Sequence, residues 1–374
     1  MDFNFSEPQR MLQRTAKDFA SKSIKPKAAE IDTSGQFPFD LAKEIGQRGY
    51  QGLPYPDEYG GSGAGYLSYA LALEQLCQVS MTVGAIMAIN TVPEEAIFRF
   101  GNDEQKKRLL SPLARGERLG GIAFTEAETG SDPQAITTSS KKSGDSYIIN
   151  GQKQFVALAP ASNLTLVFAR GEGKGLNAFV VDTSSEGYNV REPCETMGLK
   201  GLGTSVVYLD DVHVPKENLL GEEGQGFAIL REAISLGRLG VAVEGVAVAQ
   251  AALDIAIDYA KQRKAMGRVM AKLPSIQWHL AEMASRVEAG RWLVYRTAFA
   301  RDQGLDIKYE SSLAKLFTSR VAVEVTGMAI QVGGSYGTMT TMPLERLYRD
   351  AKMTEIYVGI SEIQRNIIAE RLIE

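Results

Sequence analysis

Histidine and cysteine are scarce, two of each in 374 residues: His213 and His279, Cys77 and Cys194. Two cysteines cannot build a disulfide framework and fit a reducing compartment. The histidines stand far apart, and His213 lies in the apolar alternating stretch VYLDDVHVP. No His/Cys metal cluster assembles at ligand spacing. A GxSxG nucleophile elbow and a GxGxxG turn after a strand are also missing. The net charge of −4 comes without a long basic run, which argues against nucleic acid or an anionic membrane as partner. No apolar stretch reads as long enough to span a bilayer. The opening MDFNFSEPQR lacks the basic-then-apolar pattern of a secretory leader. What remains is a cytoplasmic enzyme whose chemistry comes from a bound organic cofactor.

The chain is 44% hydrophobic and 23% charged, enough for a large core divided among two or three domains. Residues 1–119 read as helices: Met11, Leu12, Ala16, Phe19 and Ala20 recur at helical spacing. The stretch from Pro54 to Gly65 reads as a turn-rich loop. Over 120–225 the texture changes to short β-type runs, SYIING, LTLVFAR, LNAFVVD and SVVYLDDVHV, separated by Gly, Asn and Ser. From 226 to 374 the helical period returns. Phe227 to Arg263 is rich in alanine and valine, as in helices buried in a bundle or between subunits.

Several segments, taken together in order, resemble the acyl-CoA dehydrogenase family across essentially the whole chain. They are Phe124-Thr125-Glu126-Ala127-Glu128-Thr129-Gly130-Ser131-Asp132, Ile149-Asn150-Gly151-Gln152-Lys153, and Met197-Gly198-Leu199-Lys200 with Val214-Pro215 through Gly221. Then come Tyr259-Ala260-Lys261-Gln262-Arg263 with Gly267, Gln331-Val332-Gly333-Gly334, Arg349-Asp350-Ala351-Lys352 and Ser361-Glu362-Ile363-Gln364-Arg365. The resemblance implies an α+β multidomain fold: an N-terminal helical domain, a central β-barrel or sandwich, and a C-terminal four-helix bundle. It implies FAD, an acyl-CoA substrate or an acyl-carrier thioester, a homo-oligomer (a tetramer, or else a dimer), and an electron-transfer flavoprotein or similar acceptor.

Carried over residue by residue, the family pattern places Phe124, Thr125, Gly130, Ser131, Phe155, Ala157, Met266 and Ile360 against the cofactor. Arg263 matches a phosphate-binding arginine reaching a neighbouring subunit, and Gln331 and Gly334 match contacts to the adenosine end. Ser131, Arg238, Tyr357 and Gly359 fall at the substrate, and the Val358 N–H at the thioester carbonyl, where negative charge develops.

The catalytic base breaks the pattern. The family's Tyr-Glu-Gly-Thr segment is Tyr357-Val358-Gly359-Ile360, and its alternative glutamate position, just before Arg238, is Gly237. The flavin-facing Trp-Ile-Thr is Phe155-Val156-Ala157, and Met266 replaces a phenylalanine. Glu244, seven residues beyond Gly237, falls on the same helix face and is one candidate base; its bland reading is an ion pair with an arginine such as Arg238. Glu94 and Glu95, after Pro93, are the rivals, or else a plain helix start. Tyr357 is a further proton donor to consider. Three classes follow: a dehydrogenase or enoyl reductase with a displaced base and a ring or branched acyl group, a flavoenzyme of different chemistry, and a catalytically silent scaffold.

Overall fold

The computed structural model describes residues 4–173, 175–265 and 267–373. The chain begins with helices. Helix α1 (Glu7–Phe19) opens on a capping box, with Ser6 accepting from the Gln9 N–H and the Gln9 side chain from the Ser6 N–H. Helices α2 (Ala28–Ser34) and α3 (Phe39–Gln47) precede α4 (Gly65–Cys77) and α5 (Met81–Phe100), both buried along nearly their whole length. Short turns α6 (Asp103–Gln105) and α7 (Ser111–Ala114) lead to the sheet. The Pro93-Glu94-Glu95 stretch, which reads as a helix start, is the interior of α5. That helix starts twelve residues earlier, where Ser80 caps the Val83 N–H.

Eight strands then form one sheet: β1 (Gly120–Ala123), β2 (Ser139–Ser143), β3 (Ser146–Val156), β4 (Leu164–Gly171), β5 (Leu176–Asp182), β6 (Tyr188–Pro193), β7 (Ser205–Pro215) and β8 (Leu219–Leu220). Their order is β6-β7-β3-β2-β4-β5-β8, with β1 parallel to β4. Alternation divides the faces of β4 and β5. Val167, Ala169, Phe179 and Val181 share a core with Ile149 of β3 and Val207, Leu209 and Val212 of β7. Leu164, Leu166, Phe168, Ala178 and Val180 pack with Ile97, Leu110 and Ile229 from the helices. Both faces are therefore covered, which is why LTLVFAR and LNAFVVD read as nearly continuous apolar runs.

Helix α8 (Gly226–Gln262) runs through the molecule. It is long and apolar enough to cross a membrane, although no such stretch was expected from the sequence. Its most apolar 18-residue window is 78% buried among α4, α5, α9 (Pro274–Asp302), α10 (Lys308–Gly333) and α11 (Leu344–Thr354), so it is the core helix of this fold. Helix α12 (Ser361–Ile373) packs on α10. The Arg349-Asp350 pair ties the three parts together. Arg349 donates to both carboxylate oxygens of Asp32 (2.9 and 2.6 Å) and to the Met197 carbonyl (2.9 Å). Asp350, 2% exposed, accepts from the Leu199 N–H at 2.7 Å.

Candidate active site

A cavity of about 450 Å³ opens between the loop after β1, the first turns of α8, and α12. Its wall includes Phe124, Gly130, Ser131, Arg238 and Gly359, five residues expected at the site.

On the sheet side, a buried ion pair anchors the loop. Lys153 on β3 reaches Glu126 at 2.8 Å. The same carboxylate accepts from the Thr137 N–H and hydroxyl (2.7 and 2.6 Å) and the Thr138 N–H (2.9 Å). Burial alone would raise the Glu126 pKa, but these hydrogen bonds outweigh it and hold it down, to about 2. Residues 127–136 are thus clamped at both ends. The Gly130 and Ser131 N–H groups donate to no protein acceptor among the described residues, and a Cβ on Gly130 would meet only the Thr125 methyl, at 3.6 Å.

The Thr125 carbonyl accepts from the Gln154 N–H at 2.8 Å, which brings Phe155 and Ala157 beside that loop. Phe155 is 65% exposed and has φ +55, an unusual backbone for a bulky residue. A flat apolar ring held open, beside free N–H groups with room in front of them, fits a flavin and its diphosphate. When bound, FAD supplies the acceptor or donor of the hydride.

On the helical side, the loop after α11 is held from below. Lys315 of α10, fully buried, donates to the carbonyls of Thr354 (2.9 Å) and Gly359 (2.7 Å). Ser319 also donates to Thr354 and Gln364 to Gly359, both at 2.9 Å. Val358 has φ +56, costly for a β-branched residue, and its N–H donates to no carbonyl among the described residues. Gly359, at φ +93, admits no side chain: a Cβ would sit 2.7 Å from Gln364 Nε2. The two positions where a base was expected face each other. A Cβ on Gly237 would lie 3.1 Å from Val358 Cγ1 and 3.3 Å from Val92 Cγ2. Ile360, partly buried, follows in the same loop.

The three candidate carboxylates separate clearly. Glu95 is the centre of an ion-pair network: Arg301 and Arg99 (2.9 Å) pair with it and the Tyr66 hydroxyl donates at 2.7 Å. These partners compensate its charge and leave it without a free oxygen towards the 357–360 loop. Glu94 is buried, accepts from Asn90 at 2.7 Å, and keeps Oε2 without a partner. Glu244 pairs not with Arg238 but with the Tyr357 hydroxyl, which donates to it; its Oε1 has no partner. Burial pushes the Glu244 pKa well up, against the pull of the Lys315 charge. Burial likewise pushes Glu94 up, against the Asn90 hydrogen bond.

Arg263, Gln331 and Gly334 lie outside the cavity wall. They are exposed, and the Arg263 guanidinium lies 5.5 Å from the Tyr336 ring centre, beside the turn after α10. Met266 lies outside the described residues. Sequence reasoning missed Lys315, whose signal was a lone lysine within the apolar SSLAKLF. It also assigned no role to Glu126 and Lys153.

Comparison with known proteins agrees with this architecture. The N-terminal, middle and C-terminal domain models of acyl-CoA dehydrogenase match residues 6–117, 121–212 and 224–373. An acyl-CoA dehydrogenase of Bacillus subtilis (strain 168) is 40% identical over 373 residues, 98% of each chain. A 3-(aryl)acrylate reductase of Clostridium sporogenes (strain ATCC 15579) is 38% identical, over 99% of this chain and 100% of the reductase. The structure of butyryl-CoA dehydrogenase from Megasphaera elsdenii superposes with a TM-score of 0.98 at 34% identity, over 100% of both chains. A fold neighbour at 27% identity and TM-score 0.94, PigA, is an FAD complex; it covers 100% of this chain and 99% of its own. With all three domain models in order along one chain, and full-length relatives well above the identity that fold alone would need, this protein belongs to the acyl-CoA dehydrogenase family of FAD-dependent CH–CH oxidoreductases.

Proposed function

We propose that this chain moves two hydrogens across the α,β C–C bond of an acyl thioester, with the proton handled by Tyr357 backed by Glu244. The observation that carries this reading is the Tyr357–Glu244 hydrogen bond. Of the three candidate glutamates, Glu244 alone is bonded to the 357–360 loop. Tyr357 is part-buried and two residues from Gly359, which lines the cavity. The free Val358 N–H is aimed by its left-handed backbone and holds the thioester oxygen, which makes the α carbon acidic. Tyr357 exchanges the α proton, and Glu244, whose pKa burial raises, takes or restores it. Phe155 and the 130–131 N–H groups hold the flavin. Arg263, Gln331 and Gly334 share an exposed surface away from the cavity, which supports their serving the cofactor of a second copy in a homo-oligomer. Electrons leave to, or arrive from, an electron-transfer flavoprotein or a similar acceptor.

The reductive direction has its own support. In that direction protonated Glu244 donates to the Tyr357 oxygen as the Tyr357 hydroxyl gives its own proton to the α carbon, and the C. sporogenes relative is an acrylate reductase. A base displaced from 237 and 358 meets the α carbon from another side, which suits a ring or branched acyl group. The test is Glu244→Gln together with Tyr357→Phe in the FAD-loaded protein. Turnover of the acyl-CoA or enoyl-CoA that bleaches or restores the flavin band falls at least ~10²-fold in each, with the flavin retained. Near-normal turnover in both would move the proton chemistry to Glu94.

A further inference from the structure

Arg238 is a buried cation without a partner among the described residues. It is 8% exposed, lines the cavity, and makes neither an ion pair nor a side-chain hydrogen bond among the described residues. Its Nε is buried without a partner. Burial and the nearby Arg231 charge pull its pKa down only to about 10, so it stays charged at neutral pH. An ion of this kind in a folded interior is almost always matched by an opposite charge.

The acids on the cavity wall are engaged elsewhere. Glu370 pairs with Lys308 at 3.5 Å. Asp132 accepts from the Gln134 N–H at 3.0 Å within its own turn. Gly237, the residue before Arg238, and Val358, which packs against Gly237, bring no carboxylate. Arg231, also on this wall, is exposed and rests over Phe227, 5.9 Å from the ring centre. The cavity therefore combines apolar side chains, from Phe227, Leu230, Ile234 and Ile363, with one buried, unmatched guanidinium beside them.

We propose that Arg238 binds an anionic group carried by the acyl chain itself, so that the substrate is the thioester of a dicarboxylic acid. A carboxylate matches the planar donor fork of arginine and can be held by two parallel hydrogen bonds. This rests on the acyl-thioester reading above. The carboxylate of the acyl group, not the phosphates of CoA, is the ligand.

The test uses pairs of CoA thioesters that differ only in the terminal carboxylate: glutaryl-CoA against pentanoyl-CoA, and succinyl-CoA against butyryl-CoA. Binding is measured by calorimetric titration of the FAD-loaded protein. The native protein favours the dicarboxylic member of at least one pair roughly tenfold or more. Arg238→Gln brings that ratio to about one, and Arg238→Lys restores part of it. Preference in neither pair, while the uncharged members bind, overturns the proposal without the variants being made. Equal weakening of both members by Arg238→Gln overturns it too and assigns the guanidinium to the CoA moiety. If none of the four binds, the acyl-thioester reading itself fails, and this proposal with it.

Discussion

Glu126 shows how one side chain sets a cofactor loop. Its carboxylate gathers Lys153, both donors of Thr137 and the Thr138 N–H, so the chain from 126 to 138 can close only one way. Removing the charge leaves Lys153, fully buried, without its counterion. Glu126→Gln is expected to cost about 3 kcal/mol of stability and to weaken FAD retention, read by chemical denaturation and by the flavin spectrum after gel filtration. The pH sign follows from the depressed pKa. The carboxylate's contribution is fully present above its ordinary value of 4.5 and is lost as pH falls towards about 2. Between those limits the native protein should lose stability more steeply than Glu126→Gln.

The loop after α11 belongs to the scale of elements, because its shape is imposed by a neighbouring helix. Lys315 lies 44 residues before Gly359 and 39 before Thr354, and reaches both carbonyls. Burial and the Arg238 charge push its pKa down to about 7, from 10.5, although Glu244 and Glu355 pull the other way. The folded chain then binds fewer protons than the unfolded one between pH 7 and 10.5, so this group makes stability rise with pH across that window. Lys315→Met should remove the rise. At neutral pH it should also leave two carbonyls short of a donor, costing about 2 kcal/mol, and lower kcat/KM by loosening Val358.

This distance also explains what the sequence could and could not convey. The order of helices, strands and helices was legible, because periodicity is local and α8 and the β runs carry it in every few residues. The cavity residues Phe124, Gly130, Ser131, Arg238 and Gly359 were legible through motifs. Lys315 with Gly359, and Tyr357 with Glu244 across 113 residues, were not, since no spacing rule joins residues so far apart. For Glu95, one partner, Arg99, stands at helical spacing, while the other, Arg301, is 206 residues away and was out of reach.

On the scale of the whole molecule, Arg349 fastens two regions to its own helix α11 with one guanidinium: α2 through Asp32 and the sheet domain through Met197, with Glu345 one turn back holding the fork at 2.8 Å. Lys or Gln cannot copy that fork. Arg349→Gln should lower the melting temperature by a few degrees and broaden the calorimetric transition, as the sheet domain uncouples from the helices. A single sharp transition at the native temperature would show that apolar packing around α8 alone keeps the parts together. The helix is placed to do much of that work, being buried against α4, α5, α9, α10 and α11 at once.

The contact between Gly237 and Val358 also bears on the history of the site. Each occupies a position that could carry a carboxylate, and each limits what the other can become. A glutamate at 237 must first displace two valine methyls, those of Val358 and Val92, whereas one at 358 inherits a backbone already turned to the left-handed region. Mutational paths between this chain and one with a carboxylate at 237 or 358 are therefore order-dependent. The step at 237 waits for a change at Val358 or Val92.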